Sequence, residues 1–147
     1  LLLIGLFILI GAVTRVGILD GISQLLVRIG GGNLFVVYTV IVWLSVLLSG
    51  FIDNIPYVAT MLPVAAGIAS ILEVEPYVLY FGLLIGATLG GNLTPIGASA
   101  NITALGILHK KGYEVRVGEF MRFSVPFTFV AVITGYLLVW LIWRGTV

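Results

Sequence analysis

Between Tyr77 and His109 runs an apolar stretch long enough to cross a bilayer, and its middle reads Gly90-Gly91-Asn92-Leu93-Thr94-Pro95-Ile96-Gly97-Ala98-Ser99-Ala100-Asn101. A continuous helix cannot pass through this segment. Pro95 lacks a backbone donor and its ring clashes with the preceding turn, while the nearby glycines weaken the helix on either side. Two half-helices with an opened backbone between them are predicted, the breaks falling at Gly91, Pro95 and Gly97. Open backbone in hydrocarbon costs several kcal/mol per unpaired group unless it is buried in protein or lines a wet cavity. The interruption therefore reads as a binding site.

The rest of the chain places that segment in a membrane. Apolar residues make up 61% and charged residues 9%, with a mean hydropathy of +1.24. A soluble domain carries roughly a quarter of charged residues. An all-α, multi-pass integral membrane protein is expected, with the lipid bilayer as its surroundings. A net charge of +1 and the lack of any basic run argue against a nucleic-acid partner. With no cysteine there is neither a disulfide nor a thiolate metal site. The chain opens on Leu1 inside an apolar run, so it reads as a piece of something larger. At about 20 residues per crossing, its 147 residues hold four to six embedded segments, the size of half a transporter.

The segments follow from hydropathy and punctuation. Residues 1–14 look like the end of a transmembrane helix. Residues 17–30 have Ile18, Leu19, Ile22, Leu25, Leu26 and Ile29 at helical spacing, opposite Asp20, Ser23, Gln24 and Arg28. This fits an arm helix in the interface, or a loop helix packed on protein. Residues 34–72 are two short apolar arms around the polar tip Ser49-Gly50-Phe51-Ile52-Asp53-Asn54, with Pro63 expected to kink the return arm. They read as a re-entrant hairpin, or as two tilted crossings with Asp53 and Asn54 at the far surface. Residues 77–109 form the broken transmembrane helix and 123–143 the last crossing, with Pro126 near its start and Trp140 and Trp143 as anchors. The hydrophilic loop 110–122 carries Lys110, Lys111, Arg116 and Arg122, whereas the opposite connection holds Glu73 and Glu75. By the positive-inside tendency loop 110–122 is cytoplasmic, although Arg15 and Arg28 count against it.

Asp53 is the sole acid inside the predicted embedded segments, and an ionised carboxylate at bilayer depth costs about 2.5 to 3.5 kcal/mol on insertion scales. It is a functional candidate; equally, Asp53 or Asn54 can cap the helix that begins near Ile55 and Pro56. Asn92, Thr94, Ser99 and Asn101 offer hard oxygen ligands that suit a dehydrated Na+, and a helix restarting at Ser99 aims its positive end at the same place. Small polar residues also serve simply to let helices pack closely. Thr60 either reaches the site or bonds back to a carbonyl of its own helix. His109 reads as a surface residue, and Tyr77, Tyr80 and Tyr136 as packing or anchoring groups.

The run from Ser49 through Pro56 to Pro63, followed by Gly90 to Asn101, resembles the second half of the ion transporter superfamily. Within it the branch of arsenite permeases, NhaD-type sodium/proton antiporters and the melanosomal P protein is most similar. The resemblance covers nearly the whole chain. It implies one inverted repeat of an elevator-type transporter, with a re-entrant hairpin and a broken transmembrane helix. The implied partners are the N-terminal half of the same transporter and a second copy in a homodimer. In dicarboxylate and citrate relatives the hairpin tip carries Ser-Asn-Thr; here it reads Ile52-Asp53-Asn54. An acid at that place repels a carboxylate substrate and favours a cation or proton.

Secondary active transport of an ion or small anion is thus expected, as sodium/proton antiport or as export of arsenite or another anion. A dicarboxylate or citrate symporter and a passive channel are the alternatives. The binding set is Asp53, Asn54, Thr60, Asn92, Thr94, Ser99 and Asn101. Na+ would sit among Asn54, Asn92, Thr94 and Asn101, no organic cofactor is expected, and the coupling ion is Na+ or H+. An intramembrane aspartyl hydrolase needs two carboxylates sharing a proton, and only Asp53 lies at depth. No Ser/His/Asp set is apparent either, so an enzyme is not expected.

Overall fold

The computed structural model describes residues 2–145, and every regular element among them is a helix: α1 Leu2–Arg15, α2 Ile18–Ile29, α3 Leu34–Ser49, α4 Asn54–Leu72, α5 Tyr77–Gly90, α6 Ser99–Lys110 and α7 Val117–Trp143. Local chemistry sets several of the ends. The Asn33 side chain accepts from the amides of Phe35 and Val36 to start α3, and Asp53 accepts from Ile55 N at 3.4 Å to start α4. Pro56 occupies the first turn of α4, where an amide hydrogen has no helical partner. Glu73 closes α4 in the left-handed region at φ 54°.

Helices α4 and α7 are each long and apolar enough to cross a membrane, and α1 with α2 passes the same test as a pair bent by 68°. Charged residues are confined to helix ends and connections. The chain is therefore an all-α membrane protein.

The bend between α1 and α2 comes at Gly17, whose φ of 78° suits a residue without a Cβ. Helix α2 then presents three faces. Leu19, Ser23 and Leu26 are buried against α4, Ile18, Leu25 and Ile29 are exposed, and Asp20, Gln24 and Arg28 form a separate exposed polar stripe. It is packed on protein along one side and amphipathic along the rest.

The core is built on α5. A stripe of Gly82, Gly86 and Gly90 lets α3 approach backbone to backbone: a Cβ on residue 86 would stand 2.5 Å from Val42 O, and one on residue 90 would stand 2.6 Å from Val46 Cα. Gly82 lies under the Tyr38 ring. Each of these glycines sits 44 residues after the residue it meets, and so does Thr94 after Gly50. A constant offset means that α3 and α5 run parallel and in register. Helix α4 returns antiparallel to α3 and packs on α5 and α2, with a hydrogen bond from the Tyr57 hydroxyl to Ser45 Oγ at 2.9 Å tying it to α3. Val37, Ile41, Val42, Val64, Ile68, Leu79 and Leu83 fill the space between these helices.

Helix α7 runs the other way along the whole assembly. Near its start Ser124 Oγ donates to Leu93 O at 3.0 Å, Gly135 faces Ile85, and Trp143 stacks on Phe81. Its 27 residues extend about 40 Å at 1.5 Å per residue. It begins at Val117 rather than near Phe123, and the reason is local: Glu119 accepts from the Arg116 amide at 3.1 Å, which caps a turn that reads as polar loop. The hydrophilic connection shrinks accordingly to residues 111–116, and Pro126 lies inside α7 instead of in its first turn.

Thr128, on the same face, is 1% exposed, and its Oγ1 is the one buried side-chain oxygen without a hydrogen-bond partner among the described residues. Replacing it by the isosteric valine removes a desolvated hydroxyl. Thr128→Val in the full-length protein is expected to be stabilising by about 1 kcal/mol, since an unmade buried hydrogen bond costs on that order. A thermal-unfolding shift read by fluorescence-detected size exclusion checks this, and a lower midpoint would mean that the hydroxyl is satisfied in the membrane.

Candidate functional site

The parallel register of α3 and α5 delivers the tip of the α3–α4 hairpin to the gap between α5 and α6. Ser49, the last residue of α3, is fully buried, and its Oγ lies 2.5 Å from both Asn54 Oδ1 and Ala87 O. The buried Thr94 hydroxyl, from the gap, donates to Gly50 O at the tip. Two glycines make this approach feasible. A Cβ on residue 91 would stand 2.8 Å from Asn54 Oδ1, and one on residue 97 would stand 2.8 Å from Gly50 O and 3.0 Å from Ser49 O.

The gap itself is bridged by a side chain. Asn101, in the first turn of α6, donates from Nδ2 to Gly91 O at 3.0 Å and to Thr94 O at 3.2 Å. Carbonyls freed by the interruption are thus partnered by an amide rather than left open to hydrocarbon. Only the nitrogen is used, and the Asn101 oxygen has no partner among the described residues. Helix α6 starts from Ala98, whose side chain offers no cap; Asn101 N donates back to Ala98 O, while the Ser99 and Ala100 amides have no partner among the described residues. No residue of α6 is buried within the chain, and Asn101 is its polar anchor.

Three of the sequence-derived candidates, Asn54, Thr94 and Asn101, converge here. Asn92 lies in the same gap, half-buried and with no side-chain hydrogen bond among the described residues. Ser99 is exposed at the start of α6. Asp53 is exposed at the rim of the tip, where it caps α4. Thr60 lies farther along α4, and its hydroxyl bonds back to Pro56 O at 2.8 Å, the local arrangement weighed above. Sequence reasoning missed Ser49 and Ala87 as members of the cluster. Ser49 is visible as a hydroxyl beside a glycine at the end of an apolar arm, but a backbone carbonyl such as that of Ala87 leaves no trace in a side-chain pattern.

Beside this cluster an apolar cavity of about 660 Å³ opens between α1 and α4, walled by Phe7, Ile10, Val58 and Leu62, with Asn54 and Thr88 at its polar end. The site thus has one face built by this chain and open sides. Among the described residues Asp53 is the one charged side chain at the tip or in the gap.

The hairpin tip, with its oxygen-bearing residues, is thus packed into the break of a proline-interrupted helix. A protein of Mycobacterium tuberculosis named as an uncharacterized transporter is 37% identical over 139 residues, covering 93% of this chain and 32% of the relative. The 46 kDa membrane protein of Mycobacterium leprae is 32% identical, with the same coverage of 93% and 32%. The human P protein is 38% identical over 144 residues, covering 91% of this chain and 17% of its own length. The chain spans about a third or less of the curated relatives it matches. No solved structure matches it. The family model described as citrate transporter matches residues 1–147 from end to end, and the chain belongs to that family of membrane transporters.

Proposed function

We propose that this chain is one repeat of a secondary active transporter, and that the contact between hairpin tip and helix break is its half of the ion site. The observation that carries the reading is the crowding of oxygens there. Ser49 has a single hydroxyl hydrogen and two oxygen neighbours, Asn54 Oδ1 and Ala87 O, both at 2.5 Å. One of those contacts lacks a proton. A dehydrated Na+ would be held by neutral oxygens of this kind, which Asn54, Asn92, Thr94 and Asn101 offer from the same tip and gap. A half-turn of the Asn54 amide would supply a proton from nitrogen instead, so sodium dependence is the discriminating measurement.

In this reading α3 and α4 form a re-entrant hairpin, since the tip stops at the level of the gap while α6 continues for 12 more residues. Hairpin, α5 and α7 move together as an elevator body. The other half of the site comes from an N-terminal repeat of opposite orientation, and the working unit is a homodimer with residues 110–122 in the cytoplasm. Ser99 at the uncapped start of α6 faces the transported species, and Asp53 at the rim carries a proton. Sodium/proton antiport, or proton-coupled export of an anion or neutral oxyacid such as arsenious acid, follows from an acid at this place.

Citrate-type symport is the second reading. The free amides at the start of α6 favour it, because a helix N-terminus attracts a carboxylate.

Asp53→Asn separates the two. Asparagine caps a helix as well as aspartate does, so the fold of α4 is kept while the charge is lost. Counter-flow assays on the full-length protein with sodium, arsenite and citrate are expected to show a flattened pH dependence and lost proton coupling, at unchanged expression and thermal stability. Unchanged coupling and an unchanged pH profile would remove Asp53 from the mechanism.

A further inference from the structure

We infer that Ser124, on α7, is a positioning residue of the ion site, setting the orientation of Thr94 through the carbonyl of Leu93; this rests on the ion-site reading above. Helix α5 ends at Gly90 and α6 starts at Ser99, so the carbonyls between them need partners from elsewhere. In an unbroken helix the Gly97 amide would serve Leu93 O. Here it donates to Thr94 O at 3.3 Å, and Leu93 O accepts from Ser124 Oγ at 3.0 Å instead. Phe120 O, four residues back in α7, offers the serine a local alternative. The hydroxyls of Thr14, Thr60, Thr88, Thr103 and Thr134 each take that kind of bond within their own helices. Ser124 reaches across to the break.

The place where this bond falls ties it to the site. The planar peptide group that carries Leu93 O ends on Thr94, and the next one carries Thr94 O. Ser124 anchors the first from α7, and Asn101 Nδ2 anchors the second from α6 at 3.2 Å. With both planes held, neither backbone dihedral of Thr94 is free to turn, and the ring of Pro95 narrows its range further. The Thr94 hydroxyl is thereby kept on Gly50 O at the hairpin tip, while its oxygen accepts from no donor among the described residues and keeps lone pairs for a cation. The tip, α6 and α7 thus converge on one threonine. Ser124 itself is half-buried and lines, with Asn101, an apolar cavity of about 620 Å³ between α6 and α7.

Sodium activation of counter-flow, measured on the full-length protein in proteoliposomes with choline chloride replacing sodium chloride, tests this assignment. Ser124→Ala is expected to raise the half-activating sodium concentration roughly fivefold, the scale of one net hydrogen bond, with the maximal rate kept at saturating sodium. Ser124→Thr retains the hydroxyl, and its added methyl has the cavity to enter, so it should restore the wild-type value. Thr134→Ala, which removes an α7 hydroxyl bonded only to its own helix at Val130 O, is the control and should leave the sodium dependence alone. A wild-type half-activating concentration in Ser124→Ala, or a lowered maximal rate without a change in it, would overturn the inference. So would a threonine variant as impaired as alanine, because packing rather than the hydroxyl would then be at work. Ser124→Ala should also give a symmetric size-exclusion peak in sodium-free buffer, and its loss would make Ser124 a residue of the fold and not of the site. Wild-type counter-flow that ignores sodium would overturn the ion-site reading itself, and this inference with it.

Discussion

Gly86→Leu in the full-length protein is expected to abolish the folded, monodisperse species. Position 86 faces backbone: even the first carbon of a side chain would stand 2.5 Å from Val42 O and 2.7 Å from Ser45 Cβ. Neither neighbour has room to yield, because Val42 and Ser45 lie inside α3 and Ser45 also receives the Tyr57 hydroxyl. Alanine forces the helices apart, an overpacking effect of about 1–3 kcal/mol, and leucine costs more. Displacement at Gly86 also reaches Gly90 and the tip, since all the contacts share one register. Fluorescence-detected size exclusion should show loss of the symmetric peak for leucine and a lowered unfolding midpoint for alanine. Gly21→Ala, with open space around its Cβ position, is the control and should leave the peak intact. A stable Gly86→Leu protein would mean that α3 and α5 are not packed in this way.

Asn101→Ala should leave the core standing and damage the site. The change leaves Gly91 O and Thr94 O without their donor, and an orphaned buried acceptor costs about 1–3 kcal/mol. The cost falls on the geometry of the gap, because α6 has no buried residue of its own to hold it. Apparent sodium affinity in proteoliposomes is expected to fall by about tenfold, the equivalent of about 1.4 kcal/mol. Asn101→Asp separates two roles. It keeps an oxygen but loses both amide hydrogens, so it should be as damaging as alanine if the residue acts as a brace, and near wild type if it acts as a ligand. Wild-type sodium dependence in both variants would exclude Asn101 from the site.

These two residues mark what was legible in the sequence. The break was visible because Pro95 and its flanking glycines forbid a helix, and the tip because Asp53 and Asn54 interrupt an apolar run. Asn101, Thr94 and Asn54 were chosen for their chemistry, and they do meet. Their meeting was expected only through the family resemblance, since packing between segments some 40 residues apart has no signal in hydropathy. Gly82 and Gly86 passed unnoticed for a related reason. Glycine was read as a helix breaker, whereas at four-residue spacing within an apolar helix it marks a close approach. The start of α7 was placed six residues late because Glu119 and Arg122 look like loop, although Glu119 in fact caps the first turn. Thr60 looked equally able to serve the site or its own helix, and the proximity of Pro56 O decided it.

The fixed spacing between α3 and α5 also sorts the places where this chain can change in length. An extra residue in the acidic turn 73–76 lies outside the paired segments, so every glycine keeps its neighbour and only the numerical interval grows. The same extra residue between Val42 and Val46 rotates the remainder of α3 by about 100°, carrying Ser49 and Gly50 off the groove in one stroke. Insertions among homologous chains should therefore collect in that turn and be missing from both helices, a signature readable from aligned lengths even where no polar residue is shared.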